Sequence, residues 1–98
     1  MKVIWTLKAL KTYFQISDYL KKEWGDTVVI DFTIEVDNVI TKIKKNPNMF
    51  SSSKRLKSIR KGLITKHNTM FYRVKPNQNI IEILLFWDNR RDNLKRPY

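Results

Sequence analysis

"HNTMFYRVKPNQNIIEILLFWDNRR", from His67 to Arg91, holds two apolar runs around one proline-bearing connection. In the first run Met70, Tyr72 and Val74 fall on one side and Phe71, Arg73 and Lys75 on the other, the two-residue period of a half-buried strand. In the second, Ile81, Ile83, Leu85 and Trp87 alternate with Ile80, Glu82, Leu84 and Phe86, so both sides are largely apolar and the run belongs mid-sheet. Lys66 to Thr69 and Pro76 to Asn79 supply amide and proline residues for two tight connections. Together with a preceding β-like run, the pattern predicts three consecutive antiparallel strands at roughly Leu56–Lys66, Met70–Lys75 and Ile80–Trp87.

Upstream the period changes. "KVIW" at Lys2 to Trp5 suits a short strand, and Thr6 is placed to cap a following helix. In that helix Leu10, Tyr13, Phe14, Ser17, Leu20 and Trp24 recur at three- and four-residue steps, which stacks them along one side. Gly25 punctuates, Asp26 or Thr27 offers a second cap, and Val29, Phe32, Val36, Val39, Ile40 and Ile43 draw a second stripe. The second helix begins acidic, ends basic and stops at Asn46-Pro47, as the helix dipole and the restriction before proline favour. The expected architecture is α+β in the order β-α-α-β-β-β, a helical hairpin packed on one face of a small curved antiparallel sheet. A chain of 98 residues fits a single domain spanning 1–98.

The chain has 20 Lys and Arg against 9 Asp and Glu, a net charge of +11. The excess is uneven: eight basic and six acidic residues up to Pro47 give +2, and twelve basic and three acidic from Asn48 onward give +9. Such a field attracts polyanions or an acidic protein partner. With helices on one side of the sheet, Arg60, Lys61, Lys66, Arg73, Lys75, Arg90 and Arg91 are expected on the bare, concave side as a nucleic-acid-binding face. Phe71, on the side of Arg73, is a better candidate than Tyr72 for stacking on a base there, with core packing the default for both. Guanidinium forks at Arg90 and Arg91 suit phosphate oxygens, with Asp88 and Asp92 either holding them in place for that role or forming with them a purely structural ion-pair network.

One histidine, no cysteine and scattered carboxylates supply no metal-ligand cluster, and the two glycines form no nucleotide-binding loop, so no cofactor is expected. The missing cysteines agree with a reducing cytoplasm, and no apolar stretch approaches the length of a membrane span.

The sequence resembles the RelE/ParE superfamily of toxins from bacterial type II toxin–antitoxin pairs. The likeness covers nearly the whole chain and rests on "VIWTLKALKTYFQISDYLKKEW", "HNTMFYRV" and "IIEILLFWDNRRDN". It implies a growth-inhibiting toxin, a cognate acidic antitoxin, and either cleavage of messenger RNA on the ribosome or inhibition of DNA gyrase. A plain basic nucleic-acid-binding module is the remaining alternative, and RNA cleavage is marginally favoured. In the RNA-cutting branch the resemblance matches Arg90 to an arginine closing the last strand and puts Arg60 near a further basic position. Thr69 and Gly62 stand where cutters carry basic residues, and Tyr98 has no clear counterpart. Metal-independent cleavage needs a base for the 2′-hydroxyl, an acid for the leaving oxygen and cations around the phosphate. His67, whose side-chain type titrates nearest neutrality, is the first acid–base candidate, with Lys66 or Lys61 as substitutes. Arg90, His67, Lys66 and Arg60 are therefore the expected catalytic set.

Overall fold

Thr6 decides where the first strand stops. In the computed structural model, which describes residues 1–98, Thr6 is extended and its Oγ1 accepts from the Ala9 amide at 3.0 Å. That satisfies one of the free amides at the start of the helix. The elements are β1 (Lys2–Trp5), α1 (Leu7–Trp24), α2 (Asp26–Lys45), β2 (Ile59–Thr65), β3 (Asn68–Lys75) and β4 (Ile80–Asp88), with single 3-10 turns at Pro76–Gln78 and Asn93–Lys95.

Gly25 separates the helices at φ +91° and ψ −177°, a region essentially reserved for glycine. Neither Asp26 nor Thr27 caps α2: Gly25 is the cap position and makes no side-chain bond, and Asp26 already lies in the first turn. Gly25→Ala is expected to cost about 1–3 kcal/mol through strain at this junction, read as a lower urea midpoint with unchanged slope. An unmoved midpoint would contradict the assignment.

The sheet order is β1-β4-β3-β2, which puts β4 inside, as its two-sided apolar pattern requires. β2, β3 and β4 pair antiparallel, but β1 pairs parallel to β4, Lys2 opposite Ile80 through Trp5 opposite Ile83. The sheet is therefore mixed rather than wholly antiparallel. The helical hairpin lies between β1 and the later strands and supplies the long crossover that a parallel neighbour needs.

A second departure lies inside β4. Phe71 pairs with Leu85 and Tyr72 with Ile83, so Leu84 is an extra residue in the ladder. This bulge reverses the alternation: Ile81, Ile83 and Phe86 pack on the helix side, and Leu84, Leu85 and Trp87 on the other. Ile81, Ile83, Leu85 and Trp87 thus do not share a face. The bulge also anchors α1, because Thr6 Oγ1 donates to the Leu84 carbonyl at 2.9 Å and the Phe86 amide donates to Thr12 Oγ1 at 2.9 Å.

The α2 stripe lies as expected, with Phe32, Val36, Val39 and Ile43 buried. On α1 the packed side is Ala9, Tyr13, Ile16 and Leu20, while Leu10, Phe14 and Trp24 are exposed. Ala9, 0% exposed, lets the helix approach the sheet and rotates the neighbouring large residues outward. Tyr13 stacks on Phe32 at 5.5 Å, meets Trp5 and Phe86 edge-on at 5.3 and 5.4 Å, and shares a hydrogen bond with Thr33 at 3.1 Å.

The side away from the helices is not bare. Ile59, Phe71, Leu84, Leu85 and Trp87 form a second apolar cluster there, and Tyr98 packs against it. Residues 93–98 cross this face as a strap. Ser53 Oγ donates to the Tyr98 carbonyl at 2.6 Å, and Arg55 donates to the carbonyls of Asn93 and Arg96. Strands apolar on both sides need cover on both, and this segment supplies the second.

Candidate functional site

Residues directly opposite on paired strands share a face, so the register sorts the expected cations. Arg60 lies opposite Tyr72, which belongs to the helix-side cluster. Its guanidinium donates to the Phe50 carbonyl at 2.7 Å and the Asn48 carbonyl at 3.4 Å, securing the loop after α2. Tyr72 donates to the Pro47 carbonyl at 2.8 Å; burial pushes its phenol up, with Arg60 opposing. Arg60 and Lys66 are separated by six residue steps along β2 and the start of its turn, about 20 Å at strand spacing.

Lys61 and Arg73 fall on the other side, opposite Phe71 and Ile59 respectively. Arg73 is hydrogen-bonded to Glu82 at 2.8 Å, and Lys75 lies 3.6 Å from the same carboxylate oxygen. The Arg73 hydrogen bond holds the Glu82 carboxyl below the usual carboxylate range, and the nearby Lys75 charge adds to that against the effect of burial. Phe71 is 0% exposed, with Tyr98 5.5 Å away and the Arg96 guanidinium 5.4 Å over its ring. It is core, and no base can stack on it while the strap is in place.

Arg90 projects toward α1. Its fork grips Asp88 through Nε at 3.0 Å and Nη2 at 2.8 Å, its amide donates to the same carboxylate, and it lies 5.2 Å from the Tyr19 ring centre. Arg90 in turn holds the Asp88 carboxyl below its ordinary range. The pairing of Asp88 with Arg90 was legible in the sequence; Asp92 instead caps the turn at Leu94. Arg90, His67 and Lys66 do meet, at the rim of a cavity of about 390 Å³ between the helical hairpin and the β2–β3 turn, with Leu20, Trp24 and Phe32 in its wall. Arg91 is elsewhere, over the Trp87 ring at 4.6 Å.

The positions where the resemblance led one to expect further cations are packed. Thr69 is buried and its hydroxyl donates to Asn89 Oδ1 at 2.8 Å, closing the end of β4. A Cβ at Gly62 would already lie 3.4 Å from Val39 and 3.5 Å from Phe50, so a basic side chain there would enter the helix-side core. Glu82, Tyr19, Arg55 and Arg96 carry much of the local electrostatics yet have no sequence periodicity to announce them. No group of three or more His, Cys, Asp or Glu side chains is arranged to hold a metal ion. No helix is long and apolar enough to cross a membrane.

Because Glu82 and Asp88 titrate lower folded than unfolded, the stability they add is complete above the ordinary carboxylate range. It is lost as pH falls below that range and through their lower folded values. A Glu82→Gln, Asp88→Asn variant is expected to show a flatter acid limb in urea midpoint against pH. Identical limbs would contradict these pairings.

A two-helix hairpin on a four-stranded mixed sheet, in the order β-α-α-β-β-β, is the architecture of RelE/ParE-like toxins. The chain belongs to the ParE toxin family of type II toxin–antitoxin systems: the family model of the ParE toxin of parDE matches residues 3–93. Among solved structures it is similar to a chain of the chromosomal ParDE system from P. aeruginosa, with 19% identity, TM-score 0.74, and coverage of 90% of this chain and 95% of that one. The YoeB/ParE toxin from Agrobacterium tumefaciens matches at 16% identity and TM-score 0.66, covering 90% of this chain and 98% of that one. The isolated E. coli RelE toxin matches at 13% and 0.65, covering 95% and 88%. At these identities the likeness is one of fold. Comparison with curated protein sequences gave no match.

Proposed function

We propose that this toxin inhibits growth by binding DNA gyrase, in the ParE manner, without cutting RNA, and that an acidic antitoxin neutralises it. The observation that carries this reading is how the expected cutting residues are engaged: Arg60 lies apart from the other three, and Arg90, although it shares a cavity rim with His67 and Lys66, is held by Asp88. Arg60 is committed to loop carbonyls about 20 Å along the strand from Lys66, Arg90 is filled by Asp88, and Thr69 and Gly62 are packing positions. Cleavage of a phosphodiester needs several groups within hydrogen-bond reach of one reacting phosphate. Binding a protein target needs no such convergence. The match to a ParE family model supports the same choice.

Ribosome-associated RNA cleavage is the second reading, favoured by one feature: His67, Lys66 and Arg90 share a cavity rim. For it to operate, Arg90 has to exchange Asp88 for phosphate.

The test is a gyrase supercoiling assay with the purified chain. Dose-dependent loss of supercoiling or accumulation of gyrase-linked breaks is expected, relieved by the antitoxin. Full supercoiling activity at toxin in molar excess over gyrase would overturn the proposal.

A further inference from the structure

A second cleft, of about 620 Å³, lies between the first turns of α1 and the last part of β4. Lys8 and Lys11 enter it from the helix, Arg91 and Lys95 from the segment after β4, and Leu85 and Trp87 line its apolar wall. No carboxylate lines it. None of the four cations is ion-paired, since the salt bridges of the chain are Arg73 and Lys75 with Glu82 and Arg90 with Asp88.

Three observations indicate that the cleft is shaped for an anion. First, α1 carries no acidic residue in its first turn, where the helix dipole favours one, and Lys8 stands there instead. A cation at the positive end of a helix is unfavourable by itself and is relieved by a bound anion. Second, Arg91, itself exposed, lies over the Trp87 ring, which restrains its planar fork beside the cleft. Third, Leu85 and Trp87 give the cleft an apolar wall along which the stems of the four basic side chains can lie, so that their charged heads gather at its mouth.

The strand edge beside the cleft decides which anion. The Ile83 carbonyl accepts from the Thr6 amide at 3.0 Å, the Leu84 carbonyl from Thr6 Oγ1, and the Phe86 amide donates to Thr12 Oγ1. These edge groups are taken, so an acidic peptide finds at most the last residues of β4 as a ladder and relies mainly on side-chain contacts. Successive phosphates need only the cations.

We propose that Lys8, Lys11, Arg91 and Lys95 form a binding site for consecutive phosphate groups of a nucleic-acid strand. Of the four, only Arg91 was expected from the sequence. The site is distinct from the cavity at His67 and does not depend on the toxin's target.

The test uses the full chain and a labelled single-stranded oligonucleotide in fluorescence anisotropy at several salt concentrations. The variant Lys8→Gln, Lys11→Gln, Arg91→Gln, Lys95→Gln is compared with a charge-matched variant, Lys22→Gln, Lys42→Gln, Lys44→Gln, Lys45→Gln. The cleft variant is expected to lose at least about tenfold in affinity near physiological salt, and its log–log salt slope to fall by about 2–3, at about 0.7 per phosphate contact on a single strand. The control is expected to change less than about threefold. Equal losses in both variants would reduce the binding to diffuse attraction and overturn the site.

In a two-dimensional NMR spectrum, the oligonucleotide is expected to shift the Trp87 indole N–H signal and leave that of Trp24 in place. An unmoved Trp87 signal during saturable binding would overturn the assignment. Inorganic tripolyphosphate binding as tightly as the oligonucleotide, with the same variant dependence, would keep the phosphate chemistry but overturn the nucleic-acid source. Polyglutamate doing the same would overturn the phosphate assignment itself.

Discussion

Phe86→Ala is expected to destabilise the fold by about 3–5 kcal/mol, the range for emptying a buried aromatic site. Phe86 is 2% exposed on the central strand, with Trp5 at 5.2 Å, Tyr13 at 5.4 Å and Phe32 at 6.5 Å from its ring centre. These partners come from β1, α1 and α2, so one ring ties three elements to β4. No neighbour can collapse into the space without breaking another contact, because Tyr13 is held by Thr33 and the Phe86 amide by Thr12. For a domain of this length the loss corresponds to a fall in Tm of at least about 12 °C, at roughly 4–8 °C per kcal/mol. A calorimetric Tm within a few degrees of the parent would contradict the packing.

Phe71→Ala separates two pictures of the other side of the sheet. If Phe71 were an exposed platform for bases, its loss would leave stability nearly unchanged. Its ring is 0% exposed beneath Tyr98 and Arg96, so the substitution is expected to cost about 3–5 kcal/mol. Tyr98→Ala removes one partner of that ring and is expected to cost less, about 1–2 kcal/mol. The double variant should cost less than the sum of the single ones, because the two residues share a contact. Denaturant midpoints of the four proteins measure this, and strict additivity would mean that the strap does not rest on Phe71.

The contrast over Phe71 shows where the sequence is informative. Periodicity is a local signal, so the four strands, the two helices, the Thr6 cap and the stop at Asn46 were all visible in it. The resemblance to RelE/ParE toxins, carried by the opening strand and helix and by the closing strand, also agrees with the family the chain belongs to.

What could not be read is non-local. The parallel pairing of β1 depends on where the helical hairpin delivers the chain, and the bulge at Leu84 inserts one residue into an otherwise regular apolar run. That single insertion moves Leu85 and Trp87 to the side opposite Ile81 and Ile83. Nothing in the order of residues 93–98 marks them as a cover, since their contacts are with Ser53, Arg55 and Phe71, at least 27 positions away in sequence from Tyr98. The assumption of a bare basic face failed for that reason. Charge counts show how many cations a segment carries, but they do not show that Arg73 is neutralised by Glu82, Arg90 by Asp88, and Arg60 committed to backbone carbonyls.

The same distribution of partners underlies the proposal that the toxin binds its target without cutting RNA. A reconstituted translation reaction, with message 5′ ends mapped after addition of the purified chain, gives the most direct measurement. With toxin at a concentration that stops gyrase supercoiling, the messages are expected to stay uncut. Cuts within codons on the ribosome, abolished by Arg90→Ala or His67→Ala in a folded protein, would contradict the account.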